Sequence, residues 1–219
     1  MSLSHLRFAS FAITNQVFFL SSARLTMGIV NLKPLVPGHV LVVPTRVTPR
    51  LRDLTPDEVS DLFASVHHIS RVIEAEYKAQ ALNIALQDGP LAGQSVPHVH
   101  VHIIPRRARD FEPIDEMYSA LDAKNLAAEH ASFEAESASR PSRADRKAAE
   151  EREREQRQHF AVELHARETG NVETPFKGIE NERKPRTRHE MRDEAMRLAA
   201  LFPEENRGTF EDEKAMKEE

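Results

Sequence analysis

Three histidines alternate with apolar residues in one short segment of this chain, in the order His98, Val99, His100, Val101, His102, Ile103. Successive side chains of an extended strand point to opposite faces, so a strand would put the three imidazoles on one face and the apolar residues on the other. The apolar face would pack on the core, and the imidazole face needs a polar site because buried imidazoles without partners are costly. The pattern therefore predicts a strand over Val99–Pro105 that borders a functional site.

Three neighbouring imidazoles suit chemistry at phosphorus. A neutral imidazole is a nucleophile near neutral pH, and a neighbouring ring that carries a proton can stabilise phosphoryl oxygens or protonate a leaving group. Attack on phosphorus would give a phosphoramidate, which divides one difficult displacement into two easier ones. The attacking nitrogen must be free, and a backbone carbonyl that accepts from the opposite ring nitrogen would fix the required tautomer.

Two other interpretations of the histidines stay open. A single histidine on a strand is most often structural, although three in strict alternation are hard to explain by packing alone. Alternating strand histidines can also hold a zinc ion, but no carboxylate accompanies these three at close range. Chemistry on phosphate is the interpretation that the pattern favours.

The rest of the first half supplies further strands and one helix. Apolar runs bounded by turn residues predict strands over Phe8–Ile13, Gln16–Leu20, Leu25–Asn31, His39–Pro44 and Leu82–Gln87. A helix begins after Thr55, because Pro56 suits the first helical position and Glu58 completes a capping box. Its apolar residues recur at helical spacing, at Val59, Leu62, Phe63, Val66, Ile69 and Ile73. Strands on both sides of one long helix predict an α+β fold, with the helix packed on an antiparallel sheet.

The composition changes near Arg109, after which charge dominates. The stretch Ser139–His159 has no apolar stripe whose burial would offset the entropy of ordering, which predicts a disordered insert or a solvated helix. Apolar spacing returns over Met191–Phe202 and predicts a second helix that packs on the body. We therefore divide the chain into a catalytic domain over residues 1–131, a polar, flexible insert over 132–188, and a C-terminal helix and tail over 189–219.

The composition also argues against several classes of partner. The chain has 219 residues, no cysteine and a net charge of −5. Nucleic acid is not an expected partner, because there is no basic excess to neutralise its phosphates. Disulfides and thiolate metal sites are impossible without cysteine, and no apolar run is long enough to span a bilayer. We expect a protein of the cytoplasm, and also of the nucleus, that does not bind membranes.

The segment His98–Ile104 fits a His-x-His-x-His-x-x pattern with apolar x, and through it the chain resembles the histidine-triad superfamily. The similarity to the fragile-histidine-triad branch covers residues 8–121 nearly continuously, and Met191–Phe202 resembles the terminal helix of that branch. Beyond the histidines, the similarity is carried by segments 29–34, 36–42, 56–59, 87–90 and 92–96, and by Arg106, Arg107, Asp110 and Phe111.

This resemblance implies an α+β fold with an antiparallel sheet of about five strands, one long packed helix and a C-terminal helix. It also implies a homodimer in which the sheet continues from one subunit into the other. Members of the branch hydrolyse diadenosine triphosphate, and often the tetraphosphate, releasing AMP with ADP or ATP. A divalent cation, Mg²⁺ or Mn²⁺, would arrive with the substrate's phosphates, so neither a metal ligand set nor a tightly bound cofactor is expected.

The same resemblance assigns roles to individual residues. His100 matches the nucleophile, which would carry a covalent nucleotidyl intermediate. His102 matches the residue that contacts the reacting phosphate and aids the leaving group, while His98 and His39 match supporting residues. The remaining matches concern substrate binding: Asn31 on the ribose side, Gln87, Gly93, Gln94, Ser95 and Val96 on nucleotide or phosphate, and Phe8 and Phe11 on the nucleoside. Family members commonly carry a histidine where Phe11 stands.

Other functions stay open at this point. The chain could be a nucleoside phosphoramidase or a nucleotidyl transferase, which are activities of other branches of the superfamily. It could also be a nucleotide-sensing signalling protein, for which the bound and slowly cleaved substrate is the signal and the polar insert binds a partner.

Overall fold

The structure, a computed structural model, describes residues 6–13, 15–122 and 185–208, together with residues 128, 131 and 210. The strands are β1 (Arg7–Phe8), β2 (Phe11–Ala12), β3 (Val17–Leu20), β4 (Thr26–Val30), β5 (Val40–Pro44), β6 (Ala81–Leu86) and β7 (Val101–Arg106). The helices are α1 (Pro56–Glu76), α2 (Glu116–Asp122) and α3 (Arg188–Ala199). None of the described helices combines the length and the apolar character that a membrane crossing requires.

Five of the described strands form one antiparallel sheet in the order β3-β4-β5-β7-β6. The predicted α+β fold, with a sheet of about five strands under one long helix, is therefore confirmed. The single strand predicted over Phe8–Ile13 is wrong, because β1 and β2 instead form a separate hairpin in which Phe8 pairs with Phe11. The chain reverses at Ala9, which has a φ of 53°, a left-handed conformation that no glycine or asparagine announces in the sequence.

The long helix α1 begins as its sequence predicts. The Thr55 side chain accepts from the Glu58 backbone N–H, and the Glu58 carboxylate accepts from the Thr55 N–H, which completes the capping box. Glu58 also takes two hydrogen bonds from Arg46, of 2.7 and 2.6 Å. This guanidinium holds the pKa of Glu58 at about 2, and the hydrogen bonds from Thr55 act in the same direction.

The sheet has an apolar cluster on each face. One cluster packs α1 and α3 against the sheet, and it includes the residues that alternate with the histidines: Val99, Val101 and Ile103. The cluster on the other face joins the hairpin to β3, β4 and β5: Phe8, Phe11, Ile13, Val17, Leu20, Met27, Ile29, Leu41, Val43 and Val96. The predicted division of the histidine segment into an apolar and an imidazole face is therefore present.

Helix α3 packs on the body, as the apolar spacing of its sequence predicts, with Met191, Ala195 and Leu198 buried. It begins at Arg188 rather than Met191, because Thr187 and Glu190 form a second capping box. It ends at Ala199 rather than Phe202. The predicted insert over 132–188 therefore extends too far, because residues 185–187 lead into this helix and Arg188 is its first residue. The rest of that insert, including Ser139–His159, lies outside the described residues.

Candidate active site

The hydrogen-bonded part of the histidine strand starts later than its sequence predicts. The ladders to β5 and to β6 both end at Val101, which pairs with Val42 on one side and Leu86 on the other. The predicted start at Val99 is therefore wrong: His98 is the last residue of a bend over residues 96–98, and His100 lies just before β7. All three imidazoles are nonetheless inside the protein, with His98 0% exposed and His100 and His102 each 1% exposed.

The His98 ring is locked in one tautomer and links two parts of the chain. Its Nδ1 accepts from the Ala9 N–H at 3.1 Å, so the hydrogen of the neutral ring is on Nε2. That Nε2 donates to the Pro44 carbonyl at 3.0 Å. Burial lowers the pKa of His98 to about 4, so the ring is neutral near pH 7 and joins the hairpin to the end of β5.

The His100 ring is locked with its reactive nitrogen free. Its Nδ1 donates to the His98 carbonyl at 2.7 Å, which confirms the expected carbonyl and leaves the lone pair on Nε2. Among the described residues this buried Nε2 has no hydrogen-bond partner. Burial also lowers the pKa of His100. The site therefore contains a neutral imidazole whose unshared electron pair is available for bond formation.

The His102 ring receives its orientation from His39. The Leu35 N–H donates to Nδ1 of His39 at 3.0 Å, so Nε2 of His39 carries a hydrogen, and it donates to Nδ1 of His102 at 2.9 Å. In a neutral His102 the hydrogen must then be on Nε2. The ring centroids of His102 and His100 are 5.1 Å apart, which places an N–H donor beside the nucleophilic ring. Asn31 Nδ2 lies 3.3 Å from Nε2 of His39, a contact between two donors.

An aromatic residue of the hairpin, Phe8, packs against the histidines. The Phe8 ring stacks on His98 with a centroid distance of 5.7 Å and meets His100 edge-on at 5.4 Å. Phe8 is 0% exposed and Phe11 is 9% exposed. The contact of Phe8 with the imidazoles is direct, while the role of both phenylalanines on a nucleoside stays a prediction.

The loop before the histidines is held by its own amide side chains. Gln87 donates to Asp122 at 3.0 Å, and a Cβ at Gly93 would lie only 2.4 Å from the Gln87 Nε2, so Gly93 makes room for this amide. Gln94 accepts from the Gly89 N–H at 3.0 Å and donates to Pro49 at 2.9 Å. The predicted substrate contacts of this loop, which extend to Ser95 and the buried Val96, stay predictions.

Two charged residues next to this loop were not anticipated. Arg50 donates to both carboxylate oxygens of Asp88, at 3.0 and 3.2 Å, and the Leu51 N–H donates to the same carboxylate at 2.9 Å. The pair joins residues 38 positions apart, so no local spacing reveals it. Within the described part of the chain no group of three or more histidines, aspartates and glutamates is placed to hold a metal ion, so the zinc interpretation finds no ligand set there.

Residues 14–109 match the HIT domain family. A bis(5'-adenosyl)-triphosphatase of Dictyostelium discoideum is 43% identical over 123 residues, which cover 56% of this chain and 81% of the relative. The asymmetrical bis(5'-nucleosyl)-tetraphosphatase of Schizosaccharomyces pombe is 54% identical over 117 residues, 53% of this chain and 63% of the relative. A bifunctional bis(5'-adenosyl)-triphosphatase/adenylylsulfatase of Arabidopsis thaliana is 50% identical over 109 residues, 50% of this chain and 59% of the relative.

The locked imidazoles on one sheet face and these matches define a histidine-triad protein: the chain belongs to the HIT domain family. The match to this chain covers 63% of the length of the Schizosaccharomyces pombe relative and 59% of the length of the Arabidopsis thaliana relative. Within the family, the names of these relatives support the fragile-histidine-triad branch.

Proposed function

We propose that the chain hydrolyses dinucleoside polyphosphates, with diadenosine triphosphate and tetraphosphate as substrates and AMP plus ADP or ATP as products. The observation that carries the proposal is the His100 ring, whose Nδ1 is bonded to a carbonyl and whose buried Nε2 has no partner among the described residues. The names of the three relatives, which include triphosphatases of diadenosine and a dinucleoside tetraphosphatase, supply the substrate class.

In the first step Nε2 of His100 attacks the α-phosphorus. The N–P bond forms while the bond to the bridging oxygen breaks, and its electron pair leaves with ADP or ATP. Because the attacking ring becomes cationic, its Nδ1–H donates more strongly to the His98 carbonyl, at 2.7 Å in the free protein. The Nε2–H of His102 stabilises the charge that develops on the phosphoryl and leaving oxygens.

In the second step water attacks the phosphorus of the nucleotidyl-histidine. The P–O bond to water forms, the N–P bond breaks, AMP leaves, and one proton of the water passes to solvent. The neutral His100 is restored with its hydrogen still on Nδ1. A Mg²⁺ or Mn²⁺ ion bound to the substrate would neutralise charge on the outer phosphates, and the proposal assigns it no protein ligand.

Trapping of the intermediate tests this proposal. The protein is mixed briefly with diadenosine triphosphate and Mg²⁺, quenched in alkaline denaturant because phosphoramidates are labile in acid, and analysed by intact mass and peptide mapping. We expect an AMP adduct on His100 and none in His100→Asn. His67→Asn, which changes an exposed histidine of α1, is the matched control and should form the adduct normally. An adduct that persists in His100→Asn contradicts the assignment.

A second substrate is favoured by the name of the Arabidopsis relative, which includes adenylylsulfatase. Adenylyl sulfate offers the same α-phosphorus, with sulfate as the leaving group. A panel of diadenosine triphosphate, adenylyl sulfate and adenosine phosphoramidate ranks the activities by kcat/KM. A tight Kd with very slow turnover on all three would instead favour the nucleotide-sensing function.

The β6 edge of the sheet supports the proposal that the protein is a homodimer. β6 is the last strand of the described sheet, and its Ile84 is 51% exposed. The opposite edge, β3, is covered, because Phe19 bridges Arg207 and the Gly208 N–H donates to the Phe18 carbonyl. An unpaired edge with an exposed apolar side chain favours pairing with another strand. We therefore propose that two copies join their β6 strands into one continuous sheet.

A further inference from the structure

The nucleophile lies beyond the part of its strand that the sheet holds. Strand pairing by β5 and β6 ends at Val101, and His100 precedes that residue. A hydrogen-bond ladder restrains the residues inside it, so the backbone on which His100 depends must be fixed by other contacts. This matters because the His98 carbonyl, which lies outside the ladder too, sets the His100 tautomer.

Residues 48–51, called here the bridging segment, supply those contacts. The Thr48 carbonyl accepts from the Val99 N–H at 2.7 Å, so this segment bonds the backbone between the two histidines. The next carbonyl, of Pro49, accepts from the Gln94 side chain at 2.9 Å. The same Gln94 Nε2 lies 3.4 Å from the His98 carbonyl oxygen. The bridging segment and Gln94 thus hold the peptide group between His98 and Val99 from both sides, one through its N–H and the other through its carbonyl.

The Arg50–Asp88 ion pair fastens the bridging segment to the loop that carries Gln94. Arg50 gives two hydrogen bonds to Asp88, and the Leu51 N–H gives a third. The adjacent Gly89 N–H donates to Gln94 Oε1. Arg50 lies flat on Gly89, where a Cβ would come within 2.9 Å of its Cζ. A continuous chain of contacts therefore leads from Arg50 through Asp88, Gly89 and Gln94 to the carbonyl that orients the nucleophile.

We propose that Arg50 and Asp88 are positioning residues for His100: through the bridging segment and Gln94, they hold the His98 carbonyl in the place that keeps Nε2 of His100 free. Within the described part of the chain, the hydrogen bonds of these two side chains go to each other and to the Leu51 N–H, not to an imidazole. The positioning proposal rests on the proposed function only where turnover is measured, because the tautomer of His100 can be measured without any substrate. A failure of the positioning role is therefore distinguishable from a failure of the hydrolase function.

The experiment compares Asp88→Ala, the milder Asp88→Asn and Arg50→Ala with the unaltered protein. Side-chain ¹⁵N spectra of histidine-labelled protein report the hydrogen on each ring nitrogen of His100, and steady-state kinetics separate kcat from KM. Unaltered protein should show hydrogen on Nδ1 alone. We expect Asp88→Ala and Arg50→Ala to show averaging of the two His100 tautomers, with kcat lowered by up to about 100-fold, the cost that a misplacement of about 1 Å can have. KM should change little, and Arg50→Lys should restore part of kcat.

Glu58→Gln is the matched control. Glu58 pairs with Arg46 through two hydrogen bonds, as Asp88 does with Arg50, but it lies on α1, and its side-chain hydrogen bonds within the described residues go to Arg46 and Thr55 rather than to residues 88–94. We expect it to lower the melting temperature without changing kcat or the His100 signals. Both Asp88→Ala and Arg50→Ala retaining the unaltered tautomer and kcat would overturn the proposal. A raised KM with unchanged kcat and tautomer would also overturn it, because Arg50 would then be a substrate contact.

Discussion

The Nε2 atom of His39 lies 2.9 Å from Nδ1 of His102, and the Leu35 N–H on the other side of the His39 ring sets the direction of this hydrogen bond. The backbone of one residue thereby determines where the hydrogen of His102 lies. That hydrogen lies on the side of the ring away from His39, and in the proposed reaction it stabilises charge on the phosphate oxygens.

Replacement of His39 tests this relay. His39→Phe keeps a buried ring but cannot donate to His102, so His102 is free to place its hydrogen on Nδ1. We expect kcat for diadenosine triphosphate to fall about 100-fold, the size of effect that a positioned proton donor has. His39→Gln, which keeps an N–H donor, should retain more activity than His39→Phe. Equal activity in all three proteins would contradict the relay.

Stability should depend on pH through His98. Its pKa is about 4 in the folded protein, below the 6.5 of an unfolded histidine, so the unfolded state binds more protons between these values. The contribution is present above about pH 6.5 and is lost as pH falls toward about 4, amounting to about 3 kcal/mol. Urea unfolding at about pH 7, 6 and 5 should show this loss, and the unfolding free energy of His98→Gln should depend less steeply on pH. An equally steep dependence in His98→Gln would contradict this role of His98.

The Phe8 ring should matter for both stability and the nucleophile. Phe8→Ala removes a fully buried ring that touches His98 and His100, and we expect it to cost about 3–5 kcal/mol in unfolding free energy. Phe8→Leu should be more stable than Phe8→Ala. It still lacks the edge-on ring contact with His100, so kcat should be low in both variants. Phe18→Leu changes an equally buried ring on the α1 side, and it should lower stability without lowering kcat. Denaturant curves and kcat together check this.

The β6 edge should determine the oligomeric state. When two β6 strands pair, the side chains at position 84 of both copies lie near each other on one sheet face, so Ile84→Asp places two like charges close together and should convert a dimer into a monomer in light scattering. Phe63→Asp changes a side chain of α1 that is 44% exposed, and it should leave the dimer intact. If the unaltered protein is a monomer at high concentration, the continuous sheet is wrong.

Alternation along the histidine segment predicted its two faces correctly, because side-chain direction in an extended chain is a local property. The residue at which the strand enters the sheet is not local: it depends on where β5 and β6 stop pairing. The hairpin escaped prediction because Ala9 takes a left-handed conformation without a glycine, and the Arg50–Asp88 pair because it joins distant positions. The start of α3 was predicted at Met191 instead of Arg188, although the capping-box spacing of Thr187 and Glu190 is a local signal that indicates it.

Residues 185–208 are tied to the body at several separate points. The Arg186 N–H donates to the Leu32 carbonyl, Asn206 donates to the Leu20 carbonyl at 2.8 Å, and Met191 and Phe202 lie in the cluster beneath α1. None of these contacts depends on a covalent connection to Asp122. The two fragments produced by a single proteolytic cut between residues 122 and 185 would therefore stay associated. The same two fragments, expressed separately, would reassemble by complementation.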